Sequence, residues 1–192
     1  SHFIAYGGNH ANKVEKNLNY LDKYKFLANK YAFKVCRIER ENNIELILKA
    51  FREAKSPELV VVGNWQGNSF GRSLIKEYSD DKNLFLLDPI YDYNELNILR
   101  SNCFVYIHGH SAGGTNPSLV EAMNLELPII SYDINFNRNT TENKSLYFKN
   151  KGQLIDILNN LNNINLIEIS KELKLIADKN YIWSKISKQY GK

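Results

Sequence analysis

Residues 103–133, CFVYIHGHSAGGTNPSLVEAMNLELPIISYD, constrain the fold more than any other stretch of the chain. The opening run Cys103-Phe104-Val105-Tyr106-Ile107 is continuously apolar, as in a strand buried on both faces of a parallel sheet. His108 to Asn116 carries three glycines and little bulk, which reads as a loop. Asn116-Pro117 then predicts a helix start. Asn suits the N-cap, and Pro at the first helical position forfeits an N–H that has no partner anyway. Pro128 to Tyr132 is a second apolar run. The result is a β-loop-α-β unit whose loop faces the carboxyl end of a parallel sheet, where open α/β sheets bind ligands. Free N–H groups and the helix dipole make that helix N-terminus an anion site, while a tight structural turn is an equally good reading of the loop alone. Glu121 lies one turn inside, among Leu119, Val120, Ala122 and Met123.

The rest of the chain repeats this alternation. Strands are expected at Phe33–Ile38, Leu59–Val62, Leu84–Leu87 and, at an edge, Leu146–Phe148. A loose amphipathic helix is expected over Leu18–Lys30, and a clearer one after Asn42-Asn43, with Ile44, Ile47, Leu48 and Phe51 on one face and Ser56-Pro57 ending it. Further helices are expected at Ser69–Tyr78, after a cap at Asp92 with Tyr93, Leu96 and Leu99 on one face, and at Gln153–Leu161 and Leu166–Ala177. Phe3–Tyr6 reads as a short strand or linker end, Ile134–Lys144 as a polar loop, and Tyr181–Ile186 as an amphipathic tail. Alternating strands and helices predict an α/β fold, a doubly wound parallel sheet with helices on both faces, in a single domain spanning 1–192.

Composition excludes several classes. With 43% hydrophobic and 24% charged residues the chain can form a core, so disorder is not expected. A net charge of +4 suits an anionic ligand or membrane surface but falls short of a nucleic-acid interface. Cys36 and Cys103 both fall in expected strands and read as reduced core thiols. No Cys/His set and no Asp-x-Asp pair points to a metal. No apolar run nears the ~20 residues of a membrane span, and no signal peptide stands out. The start Ser1-His2, without Met, reads as a tag remnant on an excised piece of a longer protein.

Few residues carry chemistry. The glycines of 109–114 match neither the phosphate loop ending Gly-Lys-Ser/Thr nor the dinucleotide fingerprint. A carboxylate at Glu121 cannot hold phosphate, but it can accept hydrogen bonds from neighbouring hydroxyls, as on a ribose. Arg37, after the first core strand, is either a phosphate clamp or the partner of Glu39 or Glu41 in a surface ion pair. His108 and His110 have no nucleophile pattern around them. One of them is placed to donate to a phosphate or sugar oxygen, the other to serve structure.

Together Cys36-Arg37-Ile38, Glu41-Asn42-Asn43-Ile44, Val62-Gly63-Asn64-Trp65 and Gly113 to Met123 resemble the C-terminal donor-binding domain of the retaining GT-B glycosyltransferases (family 4, glycosyl transferases group 1). That family has a strand ending Gly-Arg, an acid-Lys-Gly helix start, a strand-Gly-Asp turn and a Glu-x7-Glu motif running into Glu-Ala-Met. Two positions depart from it: Asn42 stands where the Lys is usual, and Gly113 replaces the first Glu. These departures, with His108-Gly109-His110-Ser111, resemble the rhamnosyltransferase-like branch of O-antigen and surface-polysaccharide enzymes.

The resemblance implies a Rossmann-like domain, one half of a GT-B fold, whose N-terminal acceptor domain is absent from this chain. It implies a nucleotide-sugar substrate, UDP-linked, with no cofactor and no metal. Arg37, Asn42 and the amides near Gly114, Thr115 and Asn116 would hold diphosphate or sugar, with His110 compensating in part for the lost lysine. Glu121 would take the ribose, and the backbone of Asp88, Pro89 and Ile90 the base. The catalytic residue is left open by Gly113. The parent enzyme would transfer a sugar with retention, N-acetylgalactosamine being preferred to rhamnose or a hexose. Its acceptor would be a lipid-linked saccharide at the cytoplasmic face of the inner membrane, and nucleic acid would not be a partner. The alternative is a non-catalytic nucleotide-binding or partner-docking module on the same fold.

Overall fold

The computed structural model describes residues 5–16, 18–54 and 57–190. Its centre is a six-stranded sheet of β1 (Tyr31–Val35), β2 (Glu58–Val62), β3 (Leu84–Leu87), β4 (Val105–His108), β5 (Ile129–Tyr132) and β6 (Leu146–Phe148). The strands lie in the order β3-β2-β1-β4-β5-β6, and every pair is parallel. The direction of winding reverses between β1 and β4. Those two strands pair only through Ala32 with Val105 and Phe33 with Tyr106, so their carboxyl ends part and leave a crevice.

Nine helices alternate with the strands among the described residues: α1 (Leu18–Lys23), α2 (Ile44–Ala54), α3 (Ser69–Tyr78), α4 (Tyr93–Ser101), α5 (Pro117–Asn124), α6 (Asn135–Thr140), α7 (Lys151–Asn160), α8 (Leu166–Asn180) and α9 (Trp183–Tyr190). Side chains alternate across the sheet and build a core on each face. Phe33, Val60, Val62 and Tyr106 pack with Leu119, Met123 and Leu173 of α5 and α8. Ala32, Leu59, Val61 and Val105 pack with Ile47, Phe51, Leu74 and Leu154 of α2, α3 and α7. Asn and Asp side chains start several helices by taking otherwise unpaired N–H groups: Asn68 accepts from Gly71 N at 2.8 Å, and Asp92 from Asn94 N at 2.8 Å and Glu95 N at 3.0 Å.

The expected doubly wound sheet is therefore present, with local corrections. β1 begins at Tyr31 and ends at Val35, which leaves Cys36, Arg37 and Ile38 in the loop beyond it. Cys36 is consequently half-buried, while Cys103 is buried. The first helix stops at Lys23 and resumes as a 3₁₀ turn over Lys25–Ala28. Segment 134–144 is not a plain loop but contains α6, which buries Asn137 and Thr140 instead of an apolar stripe. Tyr93 does not share the inward face of Leu99; it is 73% exposed. Asn42 and Asn43 turn their amides to Arg37 O and Gly109 O, not to the helix that follows. Ala5 and Tyr6 are in no strand; Phe3, Ile4 and Ser56 lie outside the described residues.

Candidate functional site

A cleft of about 300 Å³ opens at the carboxyl edge of β1 and β4, where the order reverses. The loop after β1 supplies Arg37 and Asn42, and the loop after β4 supplies His110. α5 adds Asn116, Ser118 and Glu121, and α4 adds Tyr93, Leu96 and Arg100. Five residues expected at the site thus come together there: Arg37, Asn42, His110, Asn116 and Glu121.

The two loops are stapled to each other. Ser111 N and Oγ both donate to Glu41 O, at 2.7 and 2.8 Å. A Cβ at Gly109 would stand 2.3 Å from Asn42 O, so only glycine lets the loops close to this distance. Asn42 donates through Nδ2 to Arg37 O at 2.9 Å, which turns its Oδ1 to His110 Nδ1 at 3.1 Å. An amide oxygen only accepts, so Nδ1 carries the proton and the neutral ring presents a bare Nε2. Burial, then the charge of Lys34, holds the His110 pKa below the usual histidine range. Lys34 itself is 2% exposed on β1, its pKa lowered by burial, and among the described residues no carboxylate pairs with it. Sequence reading passed it over as an ordinary strand residue.

Arg37 lines the cleft with its side chain 79% exposed and its guanidinium 3.5 Å from Glu41, a long pair that leaves most of its donors open. Asn116 caps α5, accepting from Ser118 N at 3.0 Å and from Ser118 Oγ at 2.8 Å.

Glu121 is held from two sides. Arg100 Nη1 donates to Oε2, and His10 Nε2 meets Oε1 at 2.8 Å. The Arg100 side chain is 4% exposed, and its Nε is buried without a partner among the described residues. Both partners escaped the sequence reading. Arg100 had a signal, since it follows Leu96 by four residues and so shares the inward face of α4. His10, 111 residues from Glu121 in sequence, had none.

The remaining expected residues lie elsewhere. Thr115 lines a separate hollow with Phe136, Thr140 and Tyr181, and Gly113, at φ 87°, turns the loop ahead of α5. Asp88, Pro89 and Ile90 follow β3 along the same sheet edge and lead into α4, whose exposed Tyr93 reaches the cleft. Among the described residues no group of three or more His, Cys, Asp or Glu is placed to hold a metal ion.

A parallel sheet of this order, with its cleft at the reversal and a helix N-terminus behind it, defines a Rossmann-like domain of the GT-B glycosyltransferase kind. The family model described as glycosyl transferases group 1 matches residues 20–173, and the chain belongs to that family. No protein of curated function matches its sequence. Among solved structures, sucrose-phosphate synthase from Thermosynechococcus elongatus aligns with a TM-score of 0.78 at 20% identity, over 98% of this chain and 50% of that one. HepE from Anabaena, in complex with UDP-glucose, aligns at 0.77 and 16% identity, over 96% and 54%. The C-terminal domain of the group 1 protein LpcC from Francisella tularensis aligns at 0.72 and 17% identity, over 91% and 98%. The chain spans about half the length of the first two and nearly all of the third. The expected fold and family are borne out; identities this low carry the fold alone.

Proposed function

We propose that this chain is the donor-binding half of a retaining glycosyltransferase that takes a UDP-linked sugar. The observation that carries the reading is one cleft, walled in part by the bonded Asn42–His110 pair, with the Arg37 guanidinium and the Asn116-capped N-terminus of α5 on one side and the held carboxylate of Glu121 on the other. Diphosphate fits the first set and a ribose diol the second. The base then falls toward Tyr93 and the backbone of Asp88, Pro89 and Ile90, and Gly114 is the loop residue assigned to the sugar end, Thr115 lying in its separate hollow. HepE's complex with UDP-glucose supports uridine as the base.

In the proposed reaction the bond from the sugar's anomeric carbon to the diphosphate oxygen breaks, and an acceptor hydroxyl oxygen bonds to that carbon on the same face. The hydroxyl proton passes to the departing diphosphate, whose charge Arg37 stabilises. No cofactor and no metal are invoked. The sugar is N-acetylgalactosamine in preference to rhamnose or a hexose, and the acceptor a lipid-linked saccharide of O-antigen or related polysaccharide, bound by an N-terminal domain. Among the described residues no helix is long and apolar enough to cross a membrane. A net charge of +4 fits peripheral contact with the anionic cytoplasmic face.

Calorimetry with UDP, UDP-N-acetylgalactosamine and dTDP-rhamnose tests the reading. Heat with the uridine ligands is expected, and silence with all three would overturn it. Gly113, standing where the family has a carboxylate, favours a second reading, a binding module without turnover. Joining the domain to an acceptor-binding N-terminal half and assaying transfer separates the two.

A further inference from the structure

We infer that His10 is a positioning residue of the nucleotide site, holding Glu121 in the orientation that receives the ribose hydroxyls. This rests on the donor-site reading of the cleft and adds to it a residue from the far end of the sequence. His10 Nε2 lies 2.8 Å from Glu121 Oε1, and Trp183 Nε1 lies 3.2 Å from His10 Nδ1. An indole N–H can only donate, so Nδ1 accepts and the neutral ring carries its proton on Nε2. The direction of the whole chain is thereby fixed: Trp183 donates to His10, and His10 donates to Glu121. Arg100 donates to the other carboxylate oxygen. With one donor on each oxygen the carboxylate plane cannot rotate, and each oxygen keeps a lone pair for a hydroxyl.

The segment carrying His10 is seated where this requires. Gly8 N donates to Tyr181 O at 2.8 Å, and Asn9 Oδ1 accepts from Trp183 N at 2.8 Å. A Cβ on Gly8 would stand 2.3 Å from Val120 O, so the backbone lies directly against α5 beside Glu121. The segment before α1 and the start of α9 thus meet on the ribose acid. His10 is 44% exposed in its side chain, against 16% for Glu121, so the imidazole covers the open side of a pair whose inner side Arg100 fills.

The test is calorimetric titration of the chain with UDP and with 2′,3′-dideoxy-UDP, which lacks the hydroxyls that Glu121 would receive. Wild type is expected to prefer UDP. His10→Ala should weaken UDP roughly five- to tenfold while moving the dideoxy ligand less than about twofold, and His10→Gln, whose side-chain amide can still donate, should recover most of the preference. A merely structural histidine would weaken both ligands alike. Unchanged preference for UDP in His10→Ala, or equal loss on both ligands, would overturn the assignment while leaving the donor site standing. Wild type binding neither ligand would overturn both. Glu121→Gln, run beside them, should lose the same preference.

Discussion

Asn42 Oδ1 and His110 Nδ1, 68 residues apart in the chain, meet at 3.1 Å and join the loops after β1 and β4 across the switch point. With its Nδ2 on Arg37 O, this buried amide fixes the entrance to the cleft at the position where the family resemblance leads one to expect a lysine. Restoring that lysine should therefore not restore a phosphate contact. Asn42→Lys removes two hydrogen bonds and places an ammonium near Arg37 and Lys34, at a residue 4% exposed. We expect a loss of about 2–3 kcal/mol in urea denaturation and no gain in UDP affinity. Tighter UDP binding at unchanged stability would mean that the position faces the ligand.

Arg37 behaves in the opposite way. Its guanidinium is mostly in solvent and its pair with Glu41 is long, so the folded state owes it little. Arg37→Ala should leave the urea midpoint within about 0.5 kcal/mol of wild type and weaken UDP by roughly 1.5–3 kcal/mol, the range of charge-assisted hydrogen bonds. Thermal melts and calorimetry on one preparation separate these effects. Full UDP affinity in the variant would assign Arg37 to the surface pair.

The Arg100–Glu121 pair combines both behaviours, because removing one partner strands the other in the interior. Arg100→Ala should cost about 3 kcal/mol or more, since it leaves Glu121 without its inner counter-charge. Glu121→Gln keeps the shape and one acceptor, and should cost less stability while still weakening UDP. A Glu121→Gln variant as unstable as Arg100→Ala would make the acid chiefly structural.

Much of this was legible in sequence because it depends on local rules. α3 and β3 run over the expected residues, since caps and apolar spacing act within a few positions. Arg37, His110, Asn116 and Glu121 follow strand ends or a helix start, the places a parallel sheet turns toward one edge. What escaped depends on distance or on burial of polar groups. α6 has no apolar stripe because Asn137, not a hydrophobe, faces inward and donates to His110 O and Tyr132 O, both at 2.9 Å. Lys34 carried no signal beyond its place in a strand, yet both faces of β1 are covered and it is buried. His10 meets Glu121 across 111 residues of sequence, a contact that no local rule encodes.

His108 makes the stability of this fold sensitive to mild acid. It is 2% exposed, its Nε2 has no partner among the described residues, and its pKa is driven well below 6.5, first by burial and then by the charge of Lys34. The native ring stays neutral where the unfolded chain would bind a proton. Its contribution is therefore complete above the unfolded pKa of about 6.5 and is lost as the pH falls below that value, at up to about 1.4 kcal/mol per pH unit. His110, shifted the same way, adds in the same direction. Asp133 and Glu95 have pKa values lowered by Arg138 and Lys23, so their contribution is lost only at more acidic pH. Urea denaturation at pH 7.5, 6.5 and 5.5 should show stability falling across the series, and His108→Gln should flatten the fall even if it lowers the value at pH 7.5. Equal slopes in wild type and variant would remove His108 as the titrating group.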